Sequence, residues 1–184
     1  MQKPSSRQLG YIIGASLSDG PTAQLANAQP ENVLKAAGLT RQRLVDEFLL
    51  IAAAASLHAI EMAGLSAEAE NDAAQGFYDW VAKLPESTRE VMKGSLEWAV
   101  EAYSEAAADD ASGTGSSGPV SQIELEFMDR LLDLGEDIES RVAACGRLGL
   151  TTPKHLWHAY VANANTMLKA TVLATPAGSS GAPS

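Results

Sequence analysis

Apolar and polar residues follow a helical period along most of this chain. Apolar positions recur at spacings of three and four, and no stretch alternates apolar and polar residues over the length of a strand. That period places apolar side chains on one face of an α-helix. Alanine is abundant and runs of β-branched residues are scarce, and both features favour helix. The pattern therefore predicts an all-α protein.

The segment covering about residues 41-63 is predicted to be the buried centre of the fold. It is apolar on two faces and carries no charged residue between Phe48 and Leu57. Because a helix that is apolar around most of its circumference must be surrounded, we predict a single bundle of six to seven helices packed around it. The two apolar stripes are Leu44, Phe48, Ile51, Ala55, His58 and Met62, and Val45, Leu49, Ala52, Ser56 and Ala59.

Capping residues, prolines and glycines predict the boundaries of the other helices. Ser87 with Glu90, and Ser121 with Glu124, have the spacing of a capping box. The second box is predicted to open the longest helix, of about 28 residues or about 42 Å. Further helices are predicted at 8–17, 30–38, 66–85 and 152–174, and an irregular loop is predicted before residue 30.

A Gly/Ser-rich run at residues 109-119 contains no apolar residue beyond Ala111 that could anchor it. This composition is typical of a flexible linker. Since neither flanking half has a self-sufficient core, we predict one helical domain, residues 1-174, with the linker inside it. Residues 175-184 are predicted to form a disordered tail.

The formal net charge of -10 comes mainly from acidic residues in the middle of the chain. Such a field repels nucleic acid and anionic lipid and attracts basic proteins. The most apolar run is about ten residues, well below the roughly 20 needed to cross a bilayer. The N-terminus lacks a signal-peptide pattern, and the single Cys145 cannot form an internal disulfide. We therefore expect a soluble cytoplasmic protein that binds neither nucleic acid nor membrane.

Four glutamates, Glu90, Glu97, Glu101 and Glu105, fall near one face of the predicted fifth helix, with Lys93 among them. Like charges four residues apart oppose helix formation by roughly 0.2–0.5 kcal/mol per pair. Such a stripe serves either as a solvated face or as a docking surface for a basic protein. These glutamates are the candidate partner-binding residues.

The three histidines are the candidates for metal or acid-base chemistry. His58 lies on the apolar stripe of the central helix, three residues before Glu61, and is typical of a buried, hydrogen-bonded histidine. His155 and His158 lie three apart near the start of the last helix, where they could share a metal if carboxylates completed the shell. The alternative to structural histidines is therefore a metal or haem site involving His58, Glu61, His155 and His158.

No catalytic or cofactor motif accompanies these residues. Cys145 lies on an inward stripe and is interpreted as a small buried hydrophobic residue. No serine lies in a nucleophile elbow, and the glycines of the linker do not have the spacing of a phosphate-binding loop. Trp80, Trp98 and Trp157 are predicted to face inward as core anchors, or else as walls of a ligand pocket. We expect no cofactor.

The sequence thus favours a non-enzymatic, acidic protein-interaction module of the immunity, adaptor or regulatory type that binds a basic partner. The alternative is a small-molecule, metal or haem binder, or an enzyme, with its site in the bundle interior near His58 and Glu61. A third hypothesis is a homodimer in which the long helix buries part of its apolar stripe against a second copy.

Overall fold

The computed structural model of the chain describes residues 4–18, 22–113, 120–133, 138–148 and 152–173. These ranges contain nine α-helices and no strand, so the predicted all-α bundle is confirmed. Within them, no helix combines the length and apolar character needed to cross a bilayer. The helices are α1 (Ser6–Ser18), α2 (Thr22–Ala28), α3 (Glu31–Ala36), α4 (Arg41–Glu61), α5 (Ala67–Val81), α6 (Glu86–Ser112), α7 (Gln122–Leu132), α8 (Ile138–Leu148) and α9 (Thr152–Leu173).

Helix α4 is the centre of the bundle, as predicted. Every residue from Phe48 to Leu57 is buried, and α4 contacts α1, α2, α5, α6, α7 and α9. The helix begins at a Thr40 side chain that accepts a hydrogen bond from the backbone N–H of Arg43. Met62 was predicted on the inner stripe but is 70% exposed, because α4 ends at Glu61 and Met62 is its C-cap.

The number of helices exceeds the predicted six to seven, in part because the predicted loop before residue 30 contains α2. This helix has only seven residues, and Thr22 and Ala26 are its buried positions. At the C-terminal end of α2, the Arg41 side chain donates hydrogen bonds to the carbonyls of Ala26 and Gln29. Since so short a helix is unstable alone, packing on α4 and these bonds account for it.

The predicted long helix after Ser121 is also wrong, because it divides into α7 and α8. Asp133 adopts a left-handed conformation at φ 53° and ψ 51°, which ends α7. Aspartate tolerates this conformation better than most residues with a side chain. Helix α8 packs against α7, and an Arg141 guanidinium lies 3.1 Å from Asp129 Oδ2.

Only one of the two predicted capping boxes is present. Ser121 Oγ accepts from the N–H of Glu124 at 3.2 Å, and Glu124 Oε2 accepts from the N–H of Ser121 at 3.0 Å, which confirms the box at α7. Helix α6 instead begins directly after Pro85, whose side chain offers no capping acceptor. The predicted box at Ser87 and Glu90 is therefore wrong.

Helix α6 extends further than its sequence predicted. It continues through Ser112 and ends at Gly113, a left-handed C-cap with φ 69°. Residues 109–112 of the predicted linker are thus helical, so that linker was placed too early in the chain. Residues 114–119 and the predicted tail lie outside the described ranges.

Helices α1 and α5 touch backbone to backbone through glycines. A Cβ added at Gly10 would lie 1.8 Å from the Ala73 carbonyl oxygen, and one added at Gly76 would lie 1.9 Å from that of Arg7. Because glycine disfavours helix, α1 depends on this close packing for its stability.

Candidate functional site

The acidic face of α6 comprises Glu90, Glu97, Glu101 and Glu105, and all four side chains are exposed. Glu90 has basic neighbours, with Arg89 Nε at 3.9 Å and Lys93 Nζ at 3.7 Å. The other three form no salt bridge with any residue in the described part of the chain. Three unneutralised carboxylates thus follow one another at single-turn spacing along the surface.

The acidic residues of α7 are arranged differently from those of α6. Glu124 is buried in the capping box, and Arg141 of α8 lies 4.0 Å from Glu126 and 3.1 Å from Asp129. Burial raises the pKa of Glu126, and Arg141 opposes that rise. These carboxylates of α7 therefore serve the fold, whereas the four glutamates of the acidic face of α6 are exposed.

The sequence also predicts an inward stripe for this helix, made of Val91, Ser95, Trp98, Ala102 and Tyr103. The observed inward face of α6 is rotated from that stripe. Of the predicted residues, only Tyr103 is buried. The observed stripe also runs at spacings of three and four, so the sequence contained this signal too. Its members are Thr88, Met92, Leu96, Ala99, Tyr103 and Ala106.

Trp98 is consequently a surface residue, 44% exposed, and the prediction that it anchors the core is wrong. It lies on the acidic face, next to Glu97 and one turn before Glu101. The guanidinium carbon of Arg130 is 5.2 Å from the centroid of its ring, within the range of a cation–π contact. The predicted core positions of Trp80 and Trp157 are confirmed, since both are buried.

Arg130 itself is held by a buried carboxylate that the sequence analysis missed. Its Nε donates to Glu47 Oε2 at 2.7 Å, and the Glu47 side chain is completely buried in α4. Burial raises the pKa of Glu47, while Arg130 and Arg43 oppose the rise. The available signal was Arg43 four residues before Glu47, at the spacing of a helical ion pair.

A second buried acid, Asp46, joins α4 to the start of α6. Thr88 Oγ1 donates to Asp46 Oδ1 at 3.2 Å, and Gln42 Nε2 donates to the same oxygen at 3.0 Å. The two carboxylates of Asp46 and Glu47 thus fix α6 and α7 to the central helix, which sets the direction in which the acidic face points.

His58 is half-buried, where the sequence predicts a buried residue, and its ring is bonded to a hydroxyl of α6. Its Nδ1 lies 2.9 Å from Ser104 Oγ, which donates its own hydrogen to the Val100 carbonyl. Since a hydroxyl has one hydrogen, Nδ1–H of His58 is the donor to Ser104, and Nε2 carries the lone pair. This arrangement does not activate Ser104 as a nucleophile, because no base accepts its proton.

The surroundings of His58 favour its neutral form. Burial lowers its pKa, and the nearby carboxylate of Glu61, which is exposed, opposes that effect. Its ring lies 5.4 Å from that of Trp157 in α9, and Trp157 in turn lies 6.1 Å from Tyr103. His58 therefore belongs to an aromatic cluster at the junction of α4, α6 and α9.

The remaining proposed metal ligands, His155 and His158, are both exposed on α9, while Trp157 between them faces His58. In the described ranges, no three histidine, cysteine, aspartate or glutamate side chains are grouped as a metal site would require. Open grooves lie elsewhere, with volumes of about 550 Å³ between α1 and α5 and about 370 Å³ between α9 and the segment that follows α4. Neither groove is lined by His58 or Glu61.

Cys145 lies buried in α8, with Sγ 3.8 Å from the Glu124 carbonyl oxygen. Burial raises the pKa of its thiol to about 11, and Glu124 adds to the rise. A nucleophilic cysteine requires the opposite shift. Cys145 is therefore a packing residue, as the sequence indicated.

Comparison with known proteins adds no candidate identity. No protein-family model matches the chain, and neither the curated proteins nor the solved structures include a significant match.

Proposed function

We propose that this chain is a non-enzymatic protein-interaction module that binds a basic partner protein through the acidic face of α6, namely Glu90, Glu97, Glu101 and Glu105. The observation that carries the proposal is the exposure of Glu97, Glu101 and Glu105 without a salt bridge to any described residue. A row of unpaired carboxylates raises the local negative potential, which steers a basic partner into place.

The contrast between α6 and α7 supports this choice of surface. Glu124, Glu126 and Asp129 on α7 have partners within the fold, so they contribute little to an outward field. The repulsion among the α6 glutamates destabilises that helix by roughly 0.2–0.5 kcal/mol per like-charged pair in isolation. A basic partner would relieve this repulsion on binding.

The experiment compares two variants that remove the same number of negative charges. Glu97→Gln, Glu101→Gln and Glu105→Gln are combined in the test variant, and Glu68→Gln, Asp72→Asn and Glu86→Gln in the control. All six side chains are exposed. Partners are isolated from a cell extract with the wild-type chain as bait, identified, purified and titrated by calorimetry at several salt concentrations.

We expect the test variant to bind the purified basic partner more weakly than the control variant, and the wild-type affinity to fall as salt rises. An affinity that is insensitive both to ionic strength and to the test variant would refute the proposal. Equal weakening by both variants would refute the assignment to α6, because it would show a dependence on total charge alone.

A second candidate function is a small-molecule, metal or haem site in the bundle interior near His58 and Glu61. One observation favours it: the buried hydroxyl of Tyr103, whose ring lies 6.1 Å from that of Trp157, has no hydrogen-bond partner among the described residues. Such an oxygen can be satisfied by a ligand or a water molecule. Elemental analysis and an absorption spectrum of the purified protein would reveal a metal or a coloured cofactor, and a stoichiometric one would displace the interaction proposal.

A further inference from the structure

Trp98 places a large aromatic surface within the acidic face of α6. Its indole is 44% exposed, and Glu97 and Glu101 lie beside it and one turn further along. Tryptophan and arginine are the residues most enriched among those that dominate binding energy at protein interfaces. The exposed tryptophan therefore indicates a binding surface, whereas carboxylates alone would fit a face that is only solvated.

The surface beside Trp98 is open toward the start of α6. Helical side chains lean toward the helix N-terminus, so the indole extends in the direction of the residue one turn earlier, Gly94. Gly94 is exposed, and a Cβ built on it would meet no atom of the described residues within 4 Å, the indole of Trp98 included. The absence of a side chain at Gly94 leaves room for an incoming group.

Trp98 is also held in place from within the fold. Arg130 lies 5.2 Å from the ring centroid, and the 2.7 Å bond to fully buried Glu47 fixes Arg130 in turn. An aromatic side chain that is already ordered loses less conformational entropy when a partner binds. The contacts from Glu47 to Arg130 and from Arg130 to Trp98 thus order the indole before a partner binds.

We propose that the partner inserts an arginine side chain that stacks on the face of Trp98 opposite Arg130 and donates hydrogen bonds to the carboxylates of Glu97 and Glu101; this inference rests on the proposed function of α6. A guanidinium is planar and can stack on an indole while donating to carboxylates, whereas an ammonium provides only a point charge. The carboxylates of Glu97 and Glu101 form no salt bridge with a described residue, so they are free to accept.

The test uses octa-arginine and octa-lysine peptides of equal charge, titrated by calorimetry at low salt into the wild-type chain and into Trp98→Ala. We expect the wild type to bind octa-arginine about two- to fivefold more tightly than octa-lysine, which corresponds to a cation–π contribution of an exposed site. Trp98→Ala should lose this preference and keep its affinity for octa-lysine. Circular dichroism establishes that the variant is folded.

A second variant, Gly94→Leu, leaves Trp98 and every charge in place and fills the space beside the indole. Like Trp98→Ala, this variant should reduce the preference for octa-arginine over octa-lysine. The arginine proposal would be overturned by equal wild-type affinity for the two peptides, or by a preference for octa-arginine that survives in Trp98→Ala. In either case, salt-dependent binding of the peptides would still support the acidic docking face. If the triple glutamine variant bound both peptides as tightly as the wild type, both proposals would fail.

Discussion

Arg130 donates its Nε–H to Glu47 Oε2 across 2.7 Å, and this bond joins α7 to the centre of α4. Glu47 is wholly enclosed, and its second oxygen forms an ion pair with Nη2 of Arg43 at 3.0 Å but no well-directed hydrogen bond, while that nitrogen donates to the Arg130 carbonyl at 3.2 Å. Among the described residues, the buried carboxylate therefore depends on Arg130 for its hydrogen bond.

Substitution of Arg130 should be among the most destabilising changes in the described fold. We predict that Arg130→Ala lowers the free energy of unfolding by about 1.5–3 kcal/mol, because it removes the hydrogen-bond donor of the buried Glu47 carboxylate and leaves Arg43 as its ion-pair partner. Urea denaturation followed by circular dichroism measures the loss.

The matched control is Arg7→Ala, because Arg7 Nε also lies 2.7 Å from a carboxylate oxygen, that of Asp79, but at the surface. Surface pairs contribute little to stability, so this variant should unfold at nearly the wild-type urea concentration. Similar losses for the two variants would show that burial of Glu47 is not what makes its ion pair important.

Alanine substitutions at two glycines are predicted to change stability in opposite directions, because Gly10 lies in the contact between α1 and α5 and Gly94 lies on the surface of α6. Gly10→Ala would place a methyl group on the Ala73 carbonyl, so the helices must separate, and we expect a loss of about 1–3 kcal/mol or more. At Gly94, an exposed position of α6, the added methyl group of Gly94→Ala meets no atom of the described residues, and the variant should gain about 0.5–1 kcal/mol from helix propensity. Thermal unfolding of the two variants tests both signs, and a stabilised Gly10→Ala would contradict the observed packing.

The position of α4 could be predicted because its pattern allows one interpretation only. Ten successive uncharged residues from Phe48 to Leu57 make the helix apolar around its circumference, so it is buried by other helices on all sides, whichever helices these are. Helix α6 is different, since stripes through Trp98 and through Leu96 and Ala99 both have helical spacing. Only the packing against α4 and α7 decides between them.

The charged part of the candidate site could not be predicted for a related reason. Burial of Glu47 requires Arg130, which lies 83 positions away in the sequence and reaches it only because α7 packs on α4 and α6. The end of α7 is a similar case. Aspartate tolerates the left-handed backbone conformation found at Asp133, but an aspartate in the sequence does not require that conformation. The glutamates of α6, by contrast, share one face because of their helical spacing, which is readable from the sequence.

His58 should make the stability of the fold depend on pH in the mildly acidic range. Burial lowers its pKa below the usual 6.5, so the unfolded chain binds a proton at a higher pH than the folded chain does. The stability that its neutral form contributes is therefore lost as pH falls from about 6.5 through the lower folded value. We predict that His58→Gln, which retains a donor for Ser104, unfolds with a smaller decrease in stability over this interval.

The pKa of His58 can also be measured directly by nuclear magnetic resonance titration of its ring. Because the Glu61 carboxylate opposes the effect of burial, Glu61→Gln should lower the pKa further. An unchanged value in this variant, together with equal pH dependence for wild type and His58→Gln, would exclude the proposed electrostatic environment of the histidine.

Cys145 should react slowly in the native protein, because its thiol is buried and its pKa is raised to about 11 by that burial and by Glu124. At pH 8 only about one thiol in a thousand would then be ionised, against about one in four for an ordinary cysteine, so alkylation should be slower by roughly two orders of magnitude. The control is Cys145→Ser combined with Ser87→Cys, which moves the thiol to an exposed position on α6. Mass spectrometry after timed exposure to iodoacetamide gives both rates, and equal rates would show that α8 does not enclose the sulfur.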